Sequence, residues 1–434
     1  MIEESREHWN NKLGFILAAI GSAVGIGNIW RFSSVVGQNG GGAYLIPYFL
    51  AVFAFGVPLM ILELSIGRHF QTNVVSTFSQ VKKKFRYFGW LIFLLAFLLL
   101  SYYLVITGWT LGYLVSSLGN LNMTFSDFTS SYQPLFYFGI SVLFTGLVVS
   151  FGVKKGIERI VKILVPFSFI ILIVLAVFSA TLSGFGEGLD FFFSPDFSVL
   201  SDPLLWIAAF GQAFFSLSVG FGTLITYGSY LDKKTNIPQS SVLITVFDLL
   251  VAMLAGIIIF PIVFTFNLSP SLGAELAFST LPIAFGLMPQ GQLFASLFFL
   301  LLFFAALTSA IGILELNVSV VMDTKKLSRK KTSLLLTVLL FFVGLPAALS
   351  YTSLNLNIAG TRVLDLMDES LGTMGLPIMA FCIALVFTWF MDKKVLAEAV
   401  SESAHWQFTV LTATKYVIPV VLILVILSSL ILRL

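Results

Sequence analysis

"GSAVGIGNIWRF", residues 21–32, sits in a run of sequence apolar enough to cross a membrane, yet it holds three glycines, an asparagine and an arginine. Glycine tolerates backbone angles that interrupt a helix, and an unwound stretch frees carbonyls and amides that hydrocarbon cannot satisfy. Something polar must therefore bind at such a break. Carbonyls released before it can coordinate a hard cation, while the half-helix that resumes after it points N–H groups and the positive end of its dipole at an anion. The competing explanation is that glycines at this spacing merely allow close helix packing. A second copy argues against it. "AVGIGN" at 23–28 returns as "SVGFGT" at 218–223, each after about half a helix of apolar sequence, in the first and sixth spans. Five spans being an odd number, the second copy enters the membrane with opposite polarity. Gly-interrupted helices related in this way point to a transport site near the bilayer midplane.

The rest of the chain fits that setting. Of 434 residues 58% are hydrophobic and only 10% charged, with a mean hydropathy of +0.99, which excludes a soluble globular domain. At about 20 apolar residues per helical span, eleven spans are expected, near 12–36, 42–67, 88–117, 134–151, 160–181, 203–228, 238–266, 290–322, 333–350, 361–390 and 413–432. No linker divides them, so 1–434 reads as one integral-membrane domain. No leader pattern precedes the first span, and residue 1 is expected in the mature protein. The lone Cys382 rules out an intrachain disulfide.

Cations gather in alternate loops, at Lys82–Arg86, Lys154–Arg159, Lys233–Lys234, Lys325–Lys331 and Lys393–Lys394, and are absent from 119–133, 182–202 and 267–289. By the positive-inside rule the N-terminus is cytoplasmic and, with an odd number of spans, Leu434 is outside. This topogenic pattern accounts for the basic loops without nucleic acid. Enzyme signatures are missing: there is no H-E-x-x-H, nucleophile elbow or phosphate loop. A multi-pass protein of the cell's inner (plasma) membrane is expected, with the lipid bilayer as its surroundings.

The motifs resemble one family closely. "REHW" (6–9), "GSAVGIGNIWRF" (21–32), "NGGGAYLIPY" (39–48), "SYYLVITGW" (101–109), "GQAFFSLSVGFG" (211–222), "FFAALTSAIGI" (303–313) and "LDLMD" (364–368) together look like a prokaryotic member of the neurotransmitter:sodium symporter family, of the leucine-transporter type. The resemblance runs from the N-terminal motif through the last span. It implies an all-α fold of two inverted five-helix repeats, about 12–181 and 203–390, with broken first and sixth helices and an accessory eleventh helix at about 413–432. A twelfth helix found in many relatives is not expected here, which puts in doubt any contact between copies that such a helix would make.

The same resemblance implies the site. A first sodium ion would take the Ala23 carbonyl, Asn28, Ser216 and the position of Asp248, together with the substrate carboxylate; a second would take carbonyls of Gly21, Val24 and Ala305 with the hydroxyls of Thr308 and Ser309. All-oxygen ligands suit a hard cation. Adjacent hydroxyls in a helix usually bond the carbonyl four residues back, and it is their position opposite a broken helix that favours the ligand role. For the substrate, amides near Ile26 and Gly27 and the Tyr103 hydroxyl would bind a carboxylate, and carbonyls of Ala23, Phe215 and Ser218 an ammonium. Gly25, where amine transporters of the family carry an aspartate, leaves room for the ligand's own carboxylate. Ser22, Leu99, Tyr103, Phe215, Phe221, Ser309 and Ile313 would surround the side chain, with Phe215 and Tyr103 as a lid and Ser216 also among the substrate-binding residues; none is charged, so a neutral apolar L-amino acid fits best.

Arg31 and Asp368 would form an outer gate, and Arg6, Asp323, Tyr230 and Ser229 an inner one. Gly156 and Pro166, ten apart, would let the fifth span unwind for release. Glu63 and Glu315 are expected to be structural. Asp248, where chloride-dependent relatives have asparagine, and Ala252, where they have serine, lead to the expectation of two sodium ions and no chloride. The function expected is sodium-coupled import of a neutral hydrophobic amino acid by alternating access; an amino-acid sensor that does not transport, or an ion channel, are the alternatives.

Overall fold

A computed structural model describes residues 6–119, 124–269 and 276–431, so Leu434 and parts of the loops 119–133 and 267–289 lie outside the described residues. The main helices, in chain order, are α1 Lys12–Ala23, α2 Gly27–Gln38, α3 Gly41–Phe70, α4 Val74–Val81, α5 Lys83–Gly119, α6 Gln133–Ser150, α7 Val153–Ser179, α8 Phe185–Phe193, α9 Pro203–Ser216, α10 Thr223–Gly228, α11 Ile237–Thr265, α12 Ala277–Leu287, α13 Gly291–Lys325, α14 Arg329–Leu349, α15 Val363–Phe390, α16 Lys393–Val400 and α17 Ala404–Ser428. The strands Asn357–Ile358 and Thr361–Arg362 pair in a small antiparallel hairpin.

The protein is all-helical, and among the described residues nine helices are long and apolar enough to cross a membrane; the pair α1–α2, bent by 53° at its break, makes a tenth. The stretch read as a sixth span, 203–228, is α9 followed by an irregular segment and α10. Two expected loops also hold helices, α8 within 182–202 and α12 within 267–289. Both are too short for the length criterion that defines a span, but they are rich in phenylalanine: Phe191 and Phe192 pack on Phe260 of α11 at 5.1 and 5.3 Å, and Phe285 on Phe294 of α13 at 5.3 Å. α7 starts at Val153 rather than near 160, because the basic turn "VKKGI" is a π-turn of the helix. α17 starts at Ala404, since "AHWQFTVLT" is helical despite its polarity.

Local chemistry sets several helix starts. Side chains of Asn11, Asn73, Asp202 and Asn236 accept from amides in the first turns of α1, α4, α9 and α11, and Pro203 and Pro238 occupy positions where no amide is needed. Packing then sorts the helices radially. In α13 78% of the most apolar window is buried inside the protein, against 33% in α7. α13 with α5 and α1 thus forms the centre, while Ile163, Phe167, Ile170, Ile173, Val174 and Val177 make an exposed apolar face on α7. Such a face on an outer helix suits a lipid surrounding.

Candidate functional site

Both broken helices end in contact with each other. α1 stops as Val24 turns extended (φ −69°, ψ 101°). Past α9 the chain takes positive φ at Ser218 (51°), Gly220 (87°) and Gly222 (78°) before α10 begins. Gly220 is needed twice over: its φ disfavours any side chain, and a Cβ there would lie 2.7 Å from that of Ala380. The freed backbone is satisfied from outside. Fully buried Glu63 accepts from the Gly220 amide at 2.5 Å, the Ser218 hydroxyl donates to the Ser22 carbonyl at 2.7 Å, Ser309 donates to that same carbonyl at 3.0 Å and more weakly to Gly21 at 3.4 Å, and Gln212 donates to the Gly27 carbonyl at 2.9 Å.

Beside the breaks lies a buried carboxylate. Asp248 is fully buried on α11 and accepts from the Asn28 amide group at 2.6 Å and from the Ser216 hydroxyl at 2.7 Å. Asn28 in turn accepts from the Gly25 amide at 3.0 Å, and its nitrogen also donates to Ser216 at 2.7 Å. Among the described residues no ion pair includes Asp248. A carboxylate held only by neutral donors in a buried site attracts any cation that can reach it. Such a cation would compete with Asn28 and Ser216 for its oxygens. Ala252, one turn along α11, is also fully buried.

Gly21, Val24, Ala305 and Thr308 line one small cavity of about 10 Å³, together with Val165, Ser168, Phe169, Leu172 and Val251. Ser309 is not in that lining, its hydroxyl being turned to the Ser22 carbonyl. Thr308 makes the local bonds that isolated hydroxyls make in helices, to Phe304 at 3.0 Å and Ala305 at 3.1 Å. Ser168, two residues beyond Pro166, was not singled out from sequence.

A second cavity, about 20 Å³, lies between the breaks and is lined by Ala23, Gly25, Gly27, Asn28, Leu99, Tyr103, Phe215, Ser218, Phe221, Ser309 and Ile313. Space of that size accommodates about one water. A Cβ on Gly25 would come within 2.8 Å of the Ser309 hydroxyl and 3.1 Å of that of Tyr103, so glycine keeps this cavity open. Of the other side chains expected around the substrate, Ser22 supplies its carbonyl, Ser216 belongs to the Asp248 cluster, and Ile26 lines a larger cavity on the far side of Phe215 and Tyr103.

That larger cavity, about 700 Å³, contains Arg31 and Asp368 on its walls. The two are not paired. The Arg31 guanidinium lies 4.5 Å from the centre of the Phe215 ring, and Asp368 accepts from the Tyr102 hydroxyl at 2.9 Å. The opposite end of the molecule is closed. Arg6 pairs with Asp323 at 3.1 Å, donates to Ser229 at 2.7 and 3.0 Å, and lies over the Tyr230 ring at 5.1 Å. Behind it Tyr230 donates to buried Glu315 at 2.6 Å, which Arg329 grips with both terminal nitrogens at 2.6 and 3.0 Å, while the Arg329 Nε meets Glu7 at 3.0 Å. Glu7 caps the Val153 amide at 2.5 Å, the Trp9 indole donates to the Tyr227 carbonyl at 3.1 Å, and buried Glu158 accepts from the Asn10 amide at 2.8 Å and from Lys162 at 2.6 Å. Glu7, Trp9, Glu158 and Arg329 were given no role of their own from sequence, although Glu7 and Trp9 belong to the motif at 6–9 and Arg329 to a basic loop. Gly156 and Pro166 both lie within the continuous helical run α7.

The model of the Sodium:neurotransmitter symporter family matches residues 6–134 and 120–433. The chain belongs to this family. It is 35% identical over 445 residues to YhdH, a sodium-dependent transporter of Bacillus subtilis, covering 99% of this chain and 98% of that one. Identity to a sodium-dependent transporter of Methanocaldococcus jannaschii is 35% over 429 residues, 92% of this chain and 84% of the relative. The crystal structure of MhsT in complex with L-phenylalanine superposes with a TM-score of 0.90 at 40% identity, covering 98% of this chain and 100% of that chain. The symporter family member described here is therefore a sodium-coupled membrane transporter rather than an enzyme.

Proposed function

We propose that this symporter imports a neutral, hydrophobic L-amino acid with two sodium ions by alternating access across the plasma membrane, without chloride. The observation that carries the reading is the fully buried Asp248 carboxylate, bonded among the described residues only to Asn28 and Ser216, beside a small cavity between two broken helices. In this reading the eleven spans are the ten counted above plus α9 with α10, arranged as inverted repeats at about 12–181 and 203–390 within a single domain, the N-terminus cytoplasmic and the C-terminus outside. The first sodium takes Ala23, Asn28, Ser216 and Asp248, and the second takes Gly21, Val24, Ala305, Thr308 and Ser309. Amides near Ile26 and Gly27 with the Tyr103 hydroxyl hold the substrate carboxylate beside Gly25, carbonyls of Ala23, Phe215 and Ser218 hold its ammonium, Ser22, Leu99, Tyr103, Phe215, Phe221, Ser309 and Ile313 surround its side chain, and Ser216 completes the substrate-binding set. The neutral lining, with L-phenylalanine bound in MhsT, supports an apolar substrate.

The open cavity over Arg31 and the closed network around Arg6 correspond to a carrier facing outward. Two sodium ions bring two positive charges into a low-dielectric site, and the Asp248 carboxylate supplies the negative charge that chloride would otherwise bring. Sodium-gradient uptake into proteoliposomes, run over twenty amino acids in chloride and in gluconate, tests the reading. Saturable uptake of apolar amino acids in both salts is expected. Binding without uptake would make the protein a sensor; unsaturable sodium current would make it a channel.

A further inference from the structure

The fully buried hydroxyls of Ser22 and Tyr227 have no hydrogen-bond partner among the described residues. They come from different elements, α1 and α10, and converge on a third. A Cβ on Gly312 of α13 would lie 2.9 Å from the Ser22 oxygen and 3.0 Å from the Tyr227 oxygen, distances that together bound the separation of the two oxygens at about 6 Å. Gly312 directly precedes Ile313 and stands one turn from Ser309, both of which line the cavity. The hydroxyls therefore converge beside the α13 residues that line the space assigned to the substrate's side chain.

We propose that Ser22 and Tyr227 form a polar floor that selects aromatic amino acids carrying a hydrogen-bonding group on the ring, the phenol of tyrosine or the indole N–H of tryptophan. This rests on the amino-acid reading above and names the substrate class of the same site. An unpartnered buried hydroxyl costs about 1–3 kcal/mol, and natural proteins keep few of them; two converging on one glycine are paired when a polar group arrives between them. The walls above, Leu99, Phe221 and Ile313, offer nothing polar at their ends, so they suit the face of a ring. Leucine's side chain ends in δ methyls with no polar atom to offer, whereas the phenol oxygen lies past the far edge of the ring. The floor is also held in place: the Ser22 carbonyl receives the hydroxyls of Ser218 and Ser309, and the Tyr227 carbonyl receives the Trp9 indole, whose ring stands edge-on to that of Tyr227 at 5.1 Å. A site built to bond a substrate hydroxyl discriminates strongly against the analogue that lacks it.

The test is sodium-driven uptake of tyrosine, tryptophan, phenylalanine and leucine by the full-length carrier in proteoliposomes, read as ratios of kcat/KM so that expression and folding yield cancel. Wild type is expected to favour tyrosine over phenylalanine. Tyr227→Phe, which leaves the backbone contact to Trp9 intact, and Ser22→Ala are each expected to lower the tyrosine-to-phenylalanine ratio by about fivefold to tenfold, the worth of one neutral hydrogen bond. Gly312→Ala, placing a methyl between the hydroxyls, is expected to shift preference from ring-bearing substrates toward leucine. A tyrosine-to-phenylalanine ratio unmoved in both Tyr227→Phe and Ser22→Ala overturns the polar floor while leaving amino-acid transport standing. No sodium-driven uptake of any amino acid by the wild type overturns the underlying functional reading instead.

Discussion

The Ser218 hydroxyl donates to the Ser22 carbonyl across 2.7 Å, joining the break after α9 to the break after α1. A carbonyl released by one unwound helix is thus satisfied by a residue that the other unwinding has turned to positive φ. Movement of either half-helix must break or carry this bond. Ser218→Ala is expected to weaken sodium-dependent substrate binding by about fivefold, corresponding to about 1 kcal/mol, as read by isotope binding at saturating sodium. Unaltered binding would leave the bond a purely local one.

Arg31 stacks on Phe215 while Asp368 is occupied by Tyr102, so the outer pair is apart in this state. A cation over an exposed aromatic face contributes only about 0.5–1 kcal/mol, which suits a latch that must open in each cycle. Arg31→Ala is expected to slow uptake about tenfold, equivalent to about 1.4 kcal/mol on the barrier, with a smaller change in equilibrium affinity. Equal losses in both measurements would assign Arg31 to binding rather than to closure.

Removal of Arg329 strands Glu315, which is fully buried and, among the described residues, bonded otherwise only to Tyr230. Breaking one partner of a buried ion pair typically costs about 3–5 kcal/mol. Arg329→Ala is expected to lower the thermal midpoint of the purified protein and to open the Arg6 end, making a cysteine introduced at Ser229 reactive toward a membrane-impermeant thiol reagent from that side. An additional Glu315→Gln change is expected to recover part of the midpoint, because it removes the stranded charge.

For release, Pro166→Ala is a cleaner test than a change at Gly156. A Cβ on Gly156 would run into the Val148 carbonyl, so Gly156→Ala alters packing as well as helix propensity. Restoring a helix-forming residue in place of proline gains about 3 kcal/mol of intrinsic propensity, stiffens α7, and is expected to slow efflux of substrate and sodium on the Arg6 side while binding from the outer cavity persists. Uptake and efflux at wild-type rates would make the Gly156–Pro166 spacing incidental.

Asp248→Asn removes the only carboxylate in the Asn28–Ser216 cluster, and sodium-dependent uptake is expected to fall at least tenfold, the loss of about 1.4 kcal/mol or more of charge stabilisation. Adding Ala252→Ser is expected to restore part of the activity in chloride but not in gluconate. Wild-type uptake that itself requires chloride would contradict the charge-substitution argument, as would a double variant indifferent to the anion.

Much of this architecture was legible in residues 21–32 and 218–223, because glycine interrupts a helix through its own backbone freedom, and that property belongs to the residue wherever it sits. Span lengths follow similarly from the local density of apolar side chains, which is why their centres were found although α7 and α17 begin earlier than hydropathy suggests. What surrounds the breaks was settled by packing. Asp248 reaches Asn28 across 220 positions of sequence and Arg6 reaches Asp323 across 317; the orientation of Ser309 toward Ser22, the helical bonds of Thr308, the grip of Arg329 on Glu315 and the meeting of Ser22 and Tyr227 over Gly312 all depend on side-chain directions that no spacing encodes. A helix break is a local property of the chain, whereas the partner that satisfies it is whichever distant group the fold brings within hydrogen-bonding distance.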